Sequence, residues 1–208
     1  MTEIEVKISL TQAGFETILD HFSDRVLATL DQSNIFFDTV GSELRRSGTA
    51  LRLRRIKKGD SVSWVVTMKS GGRMRHGVAI HGEIEEEVSN EVARIMLENP
   101  SEGVKMFPPQ IDELLKEFKG KKFQIEGNFR SIRKLIPFEE YLIEADECFF
   151  PDGSKLFEIE LETTNPEDAK TKIVNFLQSK GIPFEFSRCG KHGIVLSIPK
   201  EKRYDPNL

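Results

Sequence analysis

The chain has little cysteine, a single tryptophan and no long apolar run. Its two cysteines, Cys148 and Cys189, form neither a disulfide framework nor a metal-ligand spacing, so a reducing, cytoplasmic setting is expected. No segment approaches the ~20 consecutive apolar residues of a membrane span, and no signal peptide precedes Glu3. Charge of one sign is not in excess either. With 30 basic and 34 acidic residues the net charge is −4, which argues against a nucleic-acid binder that works through a general basic surface. Repeats and low-complexity stretches are missing. The 208 residues allow one sizeable domain or two small ones, and residues 199–208, poor in apolar side chains, read as a tail.

What is abundant is charge itself, 31 % of residues, beside 15 phenylalanines that can build a core. The charge is patterned. In Thr2-Glu3-Ile4-Glu5-Val6-Lys7-Ile8, ionisable and apolar residues alternate, so a strand would carry Glu3, Glu5 and Lys7 on one face and Ile4, Val6 and Ile8 on the other. Two carboxylates about 7 Å apart on one face can share a hard divalent cation, and a lysine beyond them can hold a phosphate oxygen. Similar alternating runs predict strands at 2–10, 33–38, 50–57, 62–69, 78–88, 123–135, 141–148, 156–163 and 191–198. Turns are expected at Gly59-Asp60, Gly71-Gly72 and Pro151-Asp152-Gly153. Four helices are predicted from apolar stripes and caps: one after Thr11, one after Ser89-Asn90 ending before Pro100, one over roughly Gln110 to Phe118, and one from Asn165-Pro166 to Gly181.

Short strands with a few helices between them predict an α+β protein on an antiparallel sheet, and eight or nine strands are enough to close a barrel. The face pattern recurs with both signs: Arg52 and Arg54; Lys69; Glu83, Glu85 and Glu87; Glu144 and Asp146; Glu158, Glu160 and Glu162. Like charges along one strand are costly unless the opposite sign or a cation is near. The pattern leaves two arrangements open: an open sheet with a solvated, salt-bridged face, or a closed barrel with its charges inward and its apolar faces outward beneath helices. Carboxylates for a divalent metal and cations for phosphate oxygens together suit a metal–polyphosphate complex.

These motifs, in order, resemble those of the CYTH superfamily, the triphosphate tunnel metalloenzymes. Glu3-Ile4-Glu5-Val6-Lys7 is similar to the family's Glu-x-Glu-x-Lys opening, Phe36-Phe37-Asp38-Thr39 to its aromatic-aromatic-Asp-Thr segment, Leu51-Arg52-Leu53-Arg54 to its paired-arginine strand and Met68-Lys69 to its single-lysine strand. Arg133, Asp146, Glu158-Ile159-Glu160 and Lys191 fall where the family has a late arginine, a strand aspartate, a closing Glu-x-Glu and a C-terminal lysine. The resemblance implies a single tunnel domain over residues 1–198, an eight-stranded antiparallel β-barrel with helices packed outside. It implies one or two Mg2+ or Mn2+ ions held by Glu3, Glu5, Asp146, Glu158 and Glu160. Lys7, Arg52, Arg54, Lys69, Arg133 and Lys191 would clamp a triphosphate, and Glu85, Glu87 and Glu144 would hold a second metal or orient water. The activity implied is that of a metal-dependent triphosphatase, a hydrolase acting on inorganic triphosphate or an organic one such as thiamine triphosphate. The family also contains nucleotidyl cyclases, and a non-catalytic polyphosphate-binding module is a third reading. A small-molecule partner and a monomer are expected, with no membrane and no nucleic acid.

Other residue types carry less. His21, His76, His81 and His192 are scattered and form no recognised ligand pair, so a structural or surface role is expected of each. In a regular strand His192 would face opposite to Lys191. Gly71-Gly72-Arg73 with Arg75 and His76 reads as a solvated basic loop, Cys148 as a space filler sharing a face with Asp146, and Trp64 as core.

Overall fold

A computed structural model describes all 208 residues. Nine strands form in chain order: β1 (Thr2–Leu10), β2 (Ala28–Thr39), β3 (Thr49–Lys58), β4 (Ser61–Arg75), β5 (Val78–Val88), β6 (Phe123–Phe138), β7 (Tyr141–Phe149), β8 (Lys155–Glu162) and β9 (Phe184–Phe186). The helices are α1 (Gln12–His21), α2 (Glu43–Arg46), α3 (Asn90–Glu98), α4 (Pro100–Gly103), α5 (Pro109–Leu114), α6 (Pro166–Ser179) and α7 (Lys191–Ser197), with short 3-10 turns between. Neighbouring strands run β5-β4-β3-β2-β6-β7-β8-β1, every pair is antiparallel, and β5 pairs with β1. Eight strands therefore close into a barrel and leave no edge in the ring.

The closed arrangement with inward charge is the one adopted. On β1, Val6 and Ile8 point outward and are fully buried beneath Phe15 and Ile18 of α1 and Ile173 and Leu177 of α6. Across the barrel, Leu51, Leu53, Val66 and Met68 are covered by Met96 of α3 and Ile111 of α5. Trp64 packs at the edge of this second layer. The core of an ordinary small barrel lies inside it; here two apolar layers lie outside, and the alternate residues line a lumen.

The predicted helices form where their caps and stripes place them. The Thr11 hydroxyl accepts from Gly14 N, the Ser89 hydroxyl from Val92 N and the Asn165 amide oxygen from Asp168 N. Predicted turns at Gly59 and Gly153 both occur, each with the glycine at positive φ. Gly71-Gly72 corrects the expectation of a turn. Ser70 pairs with Gly82 and Arg73 with Ile80, so one extra residue bulges within a continuous β4 that also absorbs Arg73 and Arg75. The true reversal is His76-Gly77, both at positive φ as a two-residue hairpin demands.

The predicted strand at 191–198 is also corrected, because residues 191–197 are α7. Ile194 and Val195 favour a strand locally, but the closed ring has no vacant edge for one. Val195 and Ile198 pack instead on Phe36, Phe129, Cys148 and Phe150 at one end of the lumen. A strand that the alternation did not show, β9, extends β1 where β5 leaves it, pairing Ile8 with Phe186. The tail docks on the barrel: Asn128 N donates to Arg203 O, Asn128 Nδ2 to Asp205 O, and the Arg203 guanidinium to the carbonyls of Leu196 and Ile198. Gly127 permits this approach, since a Cβ there would lie 2.8 Å from Arg203 O.

Candidate active site

A lumen of about 660 Å3 runs through the barrel, and strand alternation decides which side chains enter it. Glu3, Glu5 and Lys7 enter from β1, Arg52 and Arg54 from β3, Lys69 from β4, Glu85 from β5, Arg133 from β6, Glu144 and Asp146 from β7, and Glu160 from β8. Lys191 enters from the N-terminus of α7. Glu158 is not among the lining residues; 1 % exposed, it lies behind Lys191 and accepts from the Ser187 hydroxyl at 2.5 Å. Glu87 is not among the lining residues; it is exposed, and β5 carries it past the rim. A β6 bulge at Glu126 lies upstream of Arg133, so the facing rule holds there: Arg133 points in while Arg130 points out to Asp31.

One part of the lumen is a carboxylate well bound up by cations. Lys191 Nζ lies 2.8 Å from Asp146, Glu158 and Glu160 alike. Arg133 donates to both Asp146 oxygens at 2.7 and 2.6 Å and to Glu160 at 2.9 Å, and it also bonds Glu144. Lys7 bridges Glu160 and Glu5. Burial disfavours all these charges, but the cations outweigh it for two carboxylates. Lys191 and Arg133 hold Asp146 below the usual carboxylate range, and with Lys7 they hold Glu160 well below it. The same contacts keep Lys191 and Arg133 well above their ordinary values.

A second group gathers where β1, β4 and β5 meet. Glu3 stands opposite His81 in the β1–β5 ladder, and Lys69 opposite Glu83 in the β4–β5 ladder. Lys69 Nζ lies 2.6 Å from Glu83 and 3.2 Å from Glu3. Burial and the neighbouring Glu83 and Glu5 carboxyls push Glu3 up to about 8.

The third group is cationic. Arg54 donates to Asn34 Oδ1 at 2.8 Å and makes no ion pair with any carboxylate. Burial, with Arg52 and Arg133 near, pulls its guanidinium down to about 9. Arg52 bonds the Thr67 hydroxyl at 3.1 Å, and Thr67 donates in turn to Glu85 at 2.9 Å. The buried donors Arg52 Nε and Asn34 Nδ2 have no acceptor. A cation and two orphaned donors on one wall are the chemistry of an anion site.

The structure thus brings together the charged residues singled out by the motifs except Glu87 and Asp38; the Asp38 carboxylate instead accepts from the backbone amides of Leu44 and Arg45 in α2. It adds His81, Asn34 and Thr67, which are separated from their partners in sequence and meet them only across strands, and it gives Glu83, already read on the acidic face of β5, a partner in Lys69. His192 is stacked on Phe36 with ring centres 4.2 Å apart at the α7 end. Helical geometry, not strand alternation, puts His192 on the lumen together with Lys191. Burial pushes the Cys148 thiol well above its ordinary value, in keeping with a space filler.

A CYTH domain model matches residues 1–186. Among solved structures the chain is similar to HpAC1 of Hippeastrum, an adenylyl cyclase candidate described as revealing a dominant triphosphatase activity, with 30% identity over 96% of this chain and 99% of that one and a TM-score of 0.86. It shares its fold with an adenylate cyclase candidate from Bacillus halodurans at 21% identity, covering 93% and 97% of the two chains with a TM-score of 0.70. The same holds for the PH1819 protein of Pyrococcus horikoshii OT3 at 20% identity, covering 95% and 99% with a TM-score of 0.65. No match to a curated protein is found. With its charged lumen, its closed ring of eight strands and a family match over nearly the whole length, this chain belongs to the CYTH domain family.

Proposed function

We propose that the chain is a metal-dependent triphosphatase that hydrolyses a phosphoanhydride bond of inorganic triphosphate or of an organic triphosphate such as thiamine triphosphate. The observation that carries this reading is Arg54. A half-buried guanidinium without a carboxylate, beside two donors without acceptors, is stabilised only when an anion arrives.

Divalent metal fits the residues present. Glu3, His81 and Glu83 each offer a donor atom within 4.8 Å of the others, and the surrounding donors are the hard carboxylate oxygens that Mg2+ and Mn2+ take. Glu3, Glu5, Asp146, Glu158 and Glu160 would hold one or two such ions, whose contribution is to neutralise phosphate charge and acidify a bound water. Lys7, Arg52, Arg54, Lys69, Arg133 and Lys191 would bind the phosphate oxygens from several sides and keep the scissile bond in line with the attacking water. Glu144 and Glu85, the lumen carboxylates nearest Arg133 and Arg52, would orient that water and accept its proton. Burial raises Glu144 above the usual carboxylate range, which suits it to the proton-accepting role. Serine and cysteine nucleophiles have no part in this chemistry.

Glu5→Ala and Arg52→Ala are expected each to lower metal-dependent triphosphate turnover steeply, by about 2–4 kcal/mol in the barrier, while circular dichroism stays that of the folded chain. Turnover near the parent value in both variants would sink the assignment. Product analysis separates the alternatives: a triphosphatase releases phosphate, a nucleotidyl cyclase releases pyrophosphate and a cyclic nucleotide, and a binding module releases nothing.

A further inference from the structure

His81 is the one imidazole in contact with the carboxylate wall of β1 and β5. Its Nδ1 lies 3.3 Å from Glu3 Oε2 and 3.8 Å from Glu83 Oε2. Nδ1 is buried without a hydrogen-bond partner, and Glu83 Oε2 is met by the Lys69 ammonium at 2.6 Å. Three donor atoms, one each from Glu3, His81 and Glu83, lie within 4.8 Å of one another. Adjacent ligands of an octahedral ion with bonds of about 2.1 Å sit roughly 3 Å apart, so the nitrogen and the two oxygens are already near the edges of one coordination shell. The other ring nitrogen, Nε2, lies 3.3 Å from Glu5 Oε2. Lys69 Nζ lies 3.2 Å from the same Nε2. With Lys69 displaced by the ion, a proton on Nε2 directed at Glu5 would leave the Nδ1 lone pair facing Glu3 and Glu83, the arrangement by which a carboxylate orients a ligating imidazole. A cation already occupies this corner, because Lys69 Nζ sits against Glu83 and Glu3. A divalent ion would take over those two carboxylates and release Lys69 toward the lumen.

We propose that His81 is a nitrogen ligand of a divalent-metal site completed by Glu3 and Glu83, and that this donor makes the chain favour Mn2+ over Mg2+. The chemistry decides the preference. Mg2+ takes oxygen almost exclusively and tolerates little departure from its hydrated shell, whereas imidazole suits first-row transition metals. A wall of carboxylates alone would leave the two ions nearly equivalent; one imidazole among them does not. The inference deepens the triphosphatase reading by naming a ligand, yet the site stands or falls by itself.

The test is pulsed electron paramagnetic resonance of the full chain loaded with Mn2+ alone, with nothing turning over. Nitrogen modulation of the electron spin echo is expected, and it should change to the pattern of the heavier isotope when the chain carries isotopically labelled histidine. In His81→Gln the modulation should vanish, in His192→Gln it should persist, and calorimetry should show Mn2+ affinity in His81→Gln reduced by at least about tenfold with Mg2+ affinity reduced much less. Bound Mn2+ without nitrogen modulation in the parent chain overturns the proposal, as does modulation that survives in His81→Gln or failure to bind Mn2+ at all. If His81→Gln does not fold, the labelled parent chain and the His192→Gln control still decide. Nitrogen modulation without phosphate release would remove the triphosphatase reading and keep the site, and phosphate release without modulation would do the reverse.

Discussion

Arg54 is the residue on which the proposed triphosphatase reading turns. Its guanidinium is pulled down to about 9 by burial and by Arg52 and Arg133. A guanidinium keeps its proton throughout the range in which the chain is folded, so the pull marks a charge that the folded chain leaves poorly compensated and that a bound polyphosphate would compensate. Arg54→Met should therefore raise the urea midpoint of the free chain while lowering triphosphate affinity in calorimetry by at least about tenfold. Unchanged affinity in Arg54→Met would assign the anion site to another group. At this scale the motif residues other than Lys191, which lies on α7, were legible because each sits on a strand whose alternation fixes its side. His81 was not. A lone histidine in a strand has no local partner, and only the register that sets Glu3 opposite His81 gives it one. Glu87 shares a face with Glu85, but alternation carries no information on where a strand outruns the lumen.

Two elements at the ends of the chain hold the lumen's walls. β1 pairs with β8 on one side and with β5 and then β9 on the other, so it closes the ring. Deleting residues 1–7 should abolish the cooperative thermal transition of the barrel rather than merely lower its midpoint, and calorimetric melting would show this; a sharp transition in the shortened chain would mean that the ring closes without β1. α7 depends on the tail. Arg203 donates at 2.6 Å to the carbonyls of both Leu196 and Ile198, so Arg203→Ala leaves two part-buried acceptors short and should cost about 1–3 kcal/mol in urea unfolding. A loss below that range would make the docked tail incidental to α7. The helices were legible from Thr11, Ser89 and Asn165 because capping is local chemistry. α7 and β9 were not, because each is fixed by what the finished barrel leaves over: a lumen end lined with Phe36 and Phe129, and a half-length of β1 beyond β5.

Taken whole, the molecule is a barrel turned inside out, with apolar layers outside under helices and charge within. Patterning alone left open whether the charged faces met water or each other. The pairing of β5 with β1 decides it, since closure forces acidic and basic strands into one lumen. Charges of both signs there nearly balance, so the lumen alone offers a polyanion little net attraction, and an added divalent cation would tip the balance toward binding. On the proposed triphosphatase reading, dependence on metal follows from this balance and does not rest on one ligand. The most direct measurement is phosphate release from inorganic triphosphate, thiamine triphosphate and ATP, each with Mg2+ and with the metal chelated. The account predicts phosphate as the product from at least one of these with Mg2+ and almost none after chelation. Release that is indifferent to metal, or no phosphate from any of the three, would contradict it.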